Sequence, residues 1–308
     1  MPASATRLPA PRTAFLALAT MPVLFGLSFA ATKVALRGFQ PLLLATTRFA
    51  CTALVLLAIW RLRAGRETLT RADLRRLALL GFISLTVYFA FETIGISRTT
   101  ASAASILIAT IPIFVSVLSA TLLRERQAAL RWAGVVLSFA GVAVLVVLGG
   151  GTGGGSLSGN LLVLGAALSA AIYQILAGRF LTNRSALCLT AFQNLFGALF
   201  MAPLAAVEAA LLGVRRPTTE AVLGLIYLIA GCSVLAYLLL NFGLRFVPAS
   251  RASTFTNLTP IVAVAGAAVL LGERFTGWQG LAAVAVLAGV WLANRRGVAA
   301  RTVPATEV

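Results

Sequence analysis

The sequence predicts an all-α integral membrane protein of ten transmembrane helices, arranged as two inverted five-helix repeats. Three observations predict it. Of the 308 residues, 60% are hydrophobic and 11% charged, with mean hydropathy +0.98, whereas a soluble domain carries about a quarter charged residues. The apolar residues form long continuous runs, not the roughly ten-residue apolar/polar alternation of a lipid-facing strand. A helix satisfies its backbone within one segment, as hydrocarbon demands. Finally, residues 95–145 recur as 243–293 without a gap, with 16 identities in 51 positions. Such a repeat in apolar sequence signals a duplicated membrane module.

The chain has room for about ten spans of roughly 20 residues, and ten apolar blocks can be delimited. The first, 13–33, follows Arg7 and Arg12 and ends near Ala30-Ala31. It imitates a signal peptide, but its apolar stretch is long for one and more spans follow, so it is read as an uncleaved helix. The second covers 41–60. The charged loop 61–76 is expected to hold a short interfacial stretch starting near Thr68 or Thr70. The third block, 77–97, carries Gly81, Tyr88, Glu92 and Gly95 at spacings of seven, four and three, which fall on one helical face. The fourth, 102–122, contains Pro112, and the fifth, 132–149, contains Gly141.

Residues 149–159 are almost all glycine and serine and form a flexible linker between repeats at 14–148 and 160–294. Their formal G-x-G-x-x-G match (Gly149, Gly151, Gly154) follows a membrane helix rather than a strand, and is rejected as a nucleotide motif. The sixth block, 160–179, holds Tyr173-Gln174; the seventh, 186–207, holds Gln193-Asn194. The eighth, 220–242, repeats the polar stripe with Ser233, Tyr237 and Asn241. The ninth, 250–271, holds Thr254, Thr256, Asn257 and Pro260, and the tenth, 276–294, holds Gly289. A tail, 295–308, follows.

Charge fixes orientation. The net charge is +17, and with a cytoplasmic N-terminus 18 of the 25 basic residues fall on the cytoplasmic side. This is the positive-inside pattern, with both termini cytoplasmic, and it points to a bilayer as partner and not to nucleic acid. Five spans per repeat is odd, so the second repeat enters from the opposite side. The Glu125-Arg126 loop then faces in and Glu273-Arg274 out, as alternating access requires. The expected location is the inner (plasma) membrane.

Enzymatic chemistry finds little to use. There is no histidine, the single aspartate is Asp73, and Cys51, Cys188 and Cys232 stand at unrelated spacings inside spans. No metal ligand set, serine–histidine pair or cofactor motif is visible. The protein is expected to need no cofactor and to take a small-molecule substrate.

Candidate pathway residues are the polar ones within spans, where burial is costly: Lys33, Arg48, Tyr88, Glu92, Tyr173, Gln174, Gln193, Asn194, Tyr237, Asn241 and Asn257. Neighbouring residues point about 100° apart, so one of each adjacent pair is expected to line a cavity. The tyrosines serve either the pathway or helix packing. Lys33 and Arg48 offer cations to a substrate carboxylate; the alternatives are that Lys33 snorkels to the surface and Arg48 pairs with Glu92. Glu92 is a proton-coupling group or half of that ion pair. Pro112 and Pro260 interrupt two helices at matching points, as hinges or as static bends. Glu125 and Glu273 are expected to act structurally, through helix-end charge and local pairing with the adjacent arginines. Small residues around Gly141 and Gly289 predict close contact between the fifth and tenth helices, or between subunits of a homodimer.

With these features in place, the chain resembles the EamA-type exporters of the drug/metabolite transporter superfamily over residues 14–147 and 160–294. The resemblance rests on Gly26-x-Ser28-Phe29 with Lys33, Pro41 and Arg48, then Ala101-Ser102-Ala103-Ala104, Pro112, Leu123-x-Glu125-Arg126 and Ala140-Gly141-Val142. The second half shows Pro248-Ala249-Ser250-Arg251-Ala252, Thr259-Pro260, Leu271-Gly272-Glu273-Arg274 and Ala288-Gly289-Val290. The family pattern has Trp before the first glycine, where this chain has Phe25. The resemblance implies a secondary carrier of small metabolites, often amino acids or related compounds in the efflux direction. Nucleotide-linked or sugar-phosphate cargo is the alternative, and a membrane-embedded lipid-handling enzyme a further one.

Overall fold

The helices begin where the sequence offers a hydrogen-bond acceptor to the first free amides. In a computed structural model of the chain, residues 12–63, 68–122, 127–148, 155–180, 185–247, 255, 258–274 and 276–294 are described. Among them there is no strand, and nine helices are long and apolar enough to cross a membrane. In order they are α1 (Arg12–Ala35), α2 (Pro41–Arg63), α3 (Arg71–Arg98), α4 (Ala101–Leu122), α5 (Ala129–Leu148), α6 (Leu157–Phe180), α7 (Ala186–Leu212), α8 (Thr219–Phe246) and α10 (Gly277–Asn294). The shorter apolar α9 (Thr259–Leu271) makes the tenth. The protein is a multi-pass membrane protein of ten helices in two inverted repeats, as the hydropathy and the odd span count predict.

Thr70 Oγ1 accepts from Asp73 N (3.2 Å) and Asp73 Oδ2 accepts from Thr70 N (2.9 Å), closing a reciprocal cap at α3. Thr100, Ser185 and Thr218 cap α4, α7 and α8 in the simpler way. Because of its cap, α3 starts at Arg71, and residues 71–76 are continuous with the span instead of forming a separate interfacial piece.

Two helices change their winding midway. In α3 residues Phe82–Val87 are π-helical, and in α8 residues Tyr227–Leu235 are. The two stretches stand at corresponding places in the repeats, one immediately before Tyr88 and the other just before Tyr237. Helix α4 is broken: Ala101–Ile108 and Ile111–Leu122 are separated by a turn at 109–110, and Pro112 lies in the first turn of the second piece. Pro260 occupies the same kind of position at the start of α9. A first-turn proline costs no hydrogen bond there, since its amide has no partner in any case.

Packing follows a two-fold exchange of αn with αn+5. Helix α5 packs on α10, α2 on α7, and α4 on α9; α3 and α4 pack on α6, as α8 and α9 pack on α1. Two three-helix bundles result, α3–α4–α6 and α8–α9–α1, each completed by the first helix of the other repeat. Helices α5 and α10 cross closely, main chain against main chain: a Cβ added to Gly134 would stand 2.5 Å from Ala293 N, and one on Gly289 2.5 Å from Ser138 N. The fifth and tenth helices therefore meet within one chain. Ala101 and Ala104 of α4 and Ala263 and Ala267 of α9 are fully buried in one apolar cluster. Large apolar side chains such as Leu54, Val147, Val269 and Leu281 point outward, as expected where lipid is the solvent.

Candidate functional site

The most polar part of the interior lies where α2, α3 and α8 meet. From α2, Arg48 projects its guanidinium over the ring of Phe89 (5.1 Å) and beside that of Phe49 (5.6 Å). Its Nε donates to Ser233 Oγ, 3.0 Å away in the π-helical stretch of α8. Phe49 and Phe89 meet edge to face at 4.6 Å, joining α2 to α3. One turn along α3, Glu92 is 8% exposed, and Tyr88 Oη donates to its Oε1 at 3.1 Å. The hydrogen bonds of Arg48 and Glu92 go to neutral partners, a serine and a tyrosine, and not to each other as the ion-pair alternative had it. The flat guanidinium is suited to this place, since it stacks on an aromatic face while offering hydrogen bonds at its rim.

Tyr173 and Gln193 join α6 to α7 through Tyr173 Oη and the Gln193 side-chain amide at 3.3–3.4 Å. Asn194 is buried too, but it donates to Thr190 O of its own helix at 2.8 Å. Gln174 lies elsewhere, exposed at a cavity of about 390 Å³ that also touches Ser105, Pro112 and Pro260. This cavity runs between the break in α4 and the start of α9. Tyr237 is half-buried in α8. The Asn241 side chain and all of Asn257, Thr254 and Thr256 lie outside the described residues, as do Glu125 and Arg126.

A second polar region occupies the end of the molecule where the 36–40, 99–100, 213–218 and 272–276 connections lie. A vestibule of about 750 Å³ there is lined by Lys33, Arg37, Arg98, Arg215, Glu208 and Glu273 among others. Most of these charges serve helix ends. Lys33 Nζ donates to Ile96 O in the last turn of α3, at 2.7 Å, and to Thr99 O of the capping residue that follows. Glu208 accepts from Leu42 N (2.9 Å) and Leu43 N (3.1 Å) at the start of α2. Arg37 pairs with Glu220, in the first turn of α8, at 3.9 Å across exposed surface. Lys33 is therefore held at the rim and not at the centre with Arg48.

Glu273 corrects the expectation of local pairing. Its carboxylate spans to α4, 172 positions away in sequence, where it accepts from Ala101 N (2.8 Å), Ser102 N (3.0 Å) and Ser102 Oγ (2.6 Å). Glu208 and Glu273 were not legible as inter-helix caps, because the sequence shows the carboxylates but not the amides they meet.

Comparison with known proteins agrees with this architecture. The EamA-like transporter family matches residues 12–147 and 157–295. The chain is 28% identical to an uncharacterized transporter, YetK, of Bacillus subtilis over 91% of this chain and 86% of that one. It is 31% identical to a probable amino-acid metabolite efflux pump of Salmonella typhimurium over 90% and 93%. A solved structure sharing 21% identity superposes with a TM-score of 0.62, covering 92% of this chain and 98% of its own, which shows a common fold.

Proposed function

The chain belongs to the EamA-like transporter family, and on that premise we propose that it exports small zwitterionic metabolites, amino acids foremost, by alternating access in the inner membrane. It is a small-molecule transporter and not an enzyme. Both termini are assigned to the cytoplasm, on the distribution of basic residues, and the vestibule end to the outside.

One observation carries the substrate class: a half-buried cation and a buried carboxylate share the α2–α3–α8 cluster, yet each is hydrogen-bonded to a neutral side chain and not to the other. A zwitterion offers opposite charges to both. Arg48 takes the substrate carboxylate, retaining its stack on Phe89 while exchanging or sharing the Ser233 bond. Glu92, oriented by Tyr88, faces the ammonium or a coupling proton. Charge in a span is expensive, by about 2.5–3.5 kcal/mol per residue on insertion scales, which sets these two apart from residues kept for packing alone. The amino-acid efflux name carried by the Salmonella relative supports the same class. Nucleotide-linked or sugar-phosphate cargo would ask for several cations beside Arg48, whereas Lys33 is engaged at the end of α3.

The test is efflux from liposomes preloaded with a labelled amino-acid mixture, with and without a pH gradient. Protein-dependent efflux that Arg48→Ala abolishes is the expected result. Glu92→Gln abolishes the response to the gradient if Glu92 carries the coupling proton. Absence of efflux for every amino acid by folded, inserted protein refutes the proposed substrate class.

A further inference from the structure

The connection between α3 and α4 is gripped at both ends by charges from the other bundle. It is first fastened to its own bundle: Ser156 N donates to Arg98 O (2.9 Å) and Thr99 Oγ1 to Asn160 Oδ1 (2.6 Å), both at the start of α6. Against this fixed turn, α1 sends an ammonium and the end of α9 sends a carboxylate. Lys33 binds the carbonyls that close α3, and Glu273 binds the amides that open α4. Each charge meets the helix terminus of complementary polarity. Both come from the α8–α9–α1 bundle or its direct extension, and both land on the α3–α4–α6 bundle.

The backbone is shaped for this reach. Helix α9 ends at Gly272 in the left-handed region (φ 66°), with Glu273 N donating back to Ala267 O at 3.3 Å. That reversal, which favours glycine, turns the chain toward α4. The contact also divides two spaces. On one side lies the vestibule, lined by Thr99, Thr100 and Glu273. On the other, past the buried alanines of α4 and α9, lies the cavity touching Ser105 and Pro112.

We propose that Glu273 is a gating residue of the transport cycle: its clasp on the start of α4 holds the passage below the vestibule shut, and its release lets the two bundles part there. This rests on the transporter reading above and on the vestibule facing outward. The alternation step then requires three charge-assisted bonds to be broken together, with Ser102 supplying the shortest. The Ala-Ser pair at the start of α4 and the Gly-Glu pair at the end of α9 are thus two halves of one device, which accounts for two of the short motifs by their contact with each other.

Sided cysteine labelling tests the clasp. In a background with Cys51, Cys188 and Cys232 replaced by Ala, one reporter is Ser105→Cys, beneath the clasp, and the other Arg215→Cys, in the vestibule. Intact cells are treated with a membrane-impermeant maleimide. Glu273→Gln is expected to speed labelling at Ser105→Cys by about tenfold or more while leaving Arg215→Cys unchanged, and Ser102→Ala to give a smaller rise at the same reporter. Unaltered labelling at Ser105→Cys in both variants, with the protein monodisperse on size exclusion, overturns the proposal. Equal acceleration at both reporters also overturns it, since that is general loosening. If Arg215→Cys reacts only after permeabilisation, the outward assignment fails, and the same comparison in inverted vesicles still decides the clasp.

Discussion

Replacing Gly289 by Ala tests the α5–α10 crossing most directly. The new Cβ would stand 2.5 Å from Ser138 N, 2.6 Å from Gly134 O and 2.8 Å from Ser138 Cα. All three are main-chain atoms of a helix and cannot swing aside. Carbon contacts normally settle at about 3.5–4.0 Å, so the helices must separate by roughly 1 Å along this stretch. Neighbouring contacts at Gly141 loosen with it, because its own Cβ position is 2.8 Å from Ala282 O. Overpacking of this kind costs about 1–3 kcal/mol, which thermal unfolding in detergent, followed by size exclusion, reads as a lowered midpoint. The reciprocal change Gly134→Ala meets Ala293 N at 2.5 Å and should cost a similar amount. The double variant should fall short of the sum by about 0.5 kcal/mol or more, because the first substitution has already parted the helices. Gly280→Ala, in the same helix with nothing within 4 Å, is the control and should be neutral or slightly stabilising, by up to about 1 kcal/mol. A Gly289→Ala protein melting with the parent, or losses that add in full, would refute direct glycine-mediated contact.

The remaining predictions concern the site and the helix ends. Arg48→Lys keeps the charge but loses the planar stack on Phe89 and the Nε bond to Ser233, so efflux should drop about tenfold, whereas Ser233→Ala should reduce it only a few-fold; equal activity of Arg48→Lys and parent would show that the stack is dispensable. Gly272→Ala places a side chain at φ 66°, should cost about 1 kcal/mol of stability, and should raise labelling at Ser105→Cys by displacing Glu273. Thr70→Ala removes the two bonds of the capping hydroxyl, Asp73 N to Thr70 Oγ1 and Thr70 Oγ1 to Asp73 Oδ2, and leaves the Thr70 N–H on Asp73. It should lower stability by about 1 kcal/mol, read by thermal unfolding, with transport per folded molecule unchanged.

Much of this was legible in the sequence because the bilayer imposes a coarse code. Twenty-odd apolar residues in a row can do little but cross, and a repeat of odd span number must invert. Arg48 and Glu92 stood out for the same reason, as charges where charge is costly. The winding of α3 was not legible. A stripe of Gly81, Tyr88, Glu92 and Gly95 assumes a constant 3.6-residue turn, but the π-helical Phe82–Val87 widens the turn and shifts the phase of everything before it. Gly81 accordingly packs on Gln193 and Phe196 of α7, while Gly95 packs on Gly159 and Val163 of α6. Nothing in the Phe-Ile-Ser-Leu-Thr-Val of residues 82–87 announces this. Lys33 and Glu273 were hidden differently. Each carries an ordinary helix-end charge, and its meaning lies in which distant helix end it meets.

The exchange of helices across the two-fold has a consequence for energetics. If the repeats were identical in sequence, the conformation open to one side and the conformation open to the other would be mirror occupants of one landscape, equal in free energy. The α5–α10 and α2–α7 pairs exchange into themselves across the two-fold, so they stabilise the molecule without favouring either side, whereas the Glu273 clasp joins one end of α9 to one end of α4 and exchanges into a different place. Any resting preference must reside in the differences between exchanged partners, α3 and α4 on α6 against α8 and α9 on α1, and in the Glu273 clasp at one end of the α4–α9 contact. Each 1.4 kcal/mol of such difference tilts the populations about tenfold. Divergence of the two halves is therefore not erosion of an ancestral symmetry alone; it is the setting of the balance point about which the carrier turns over.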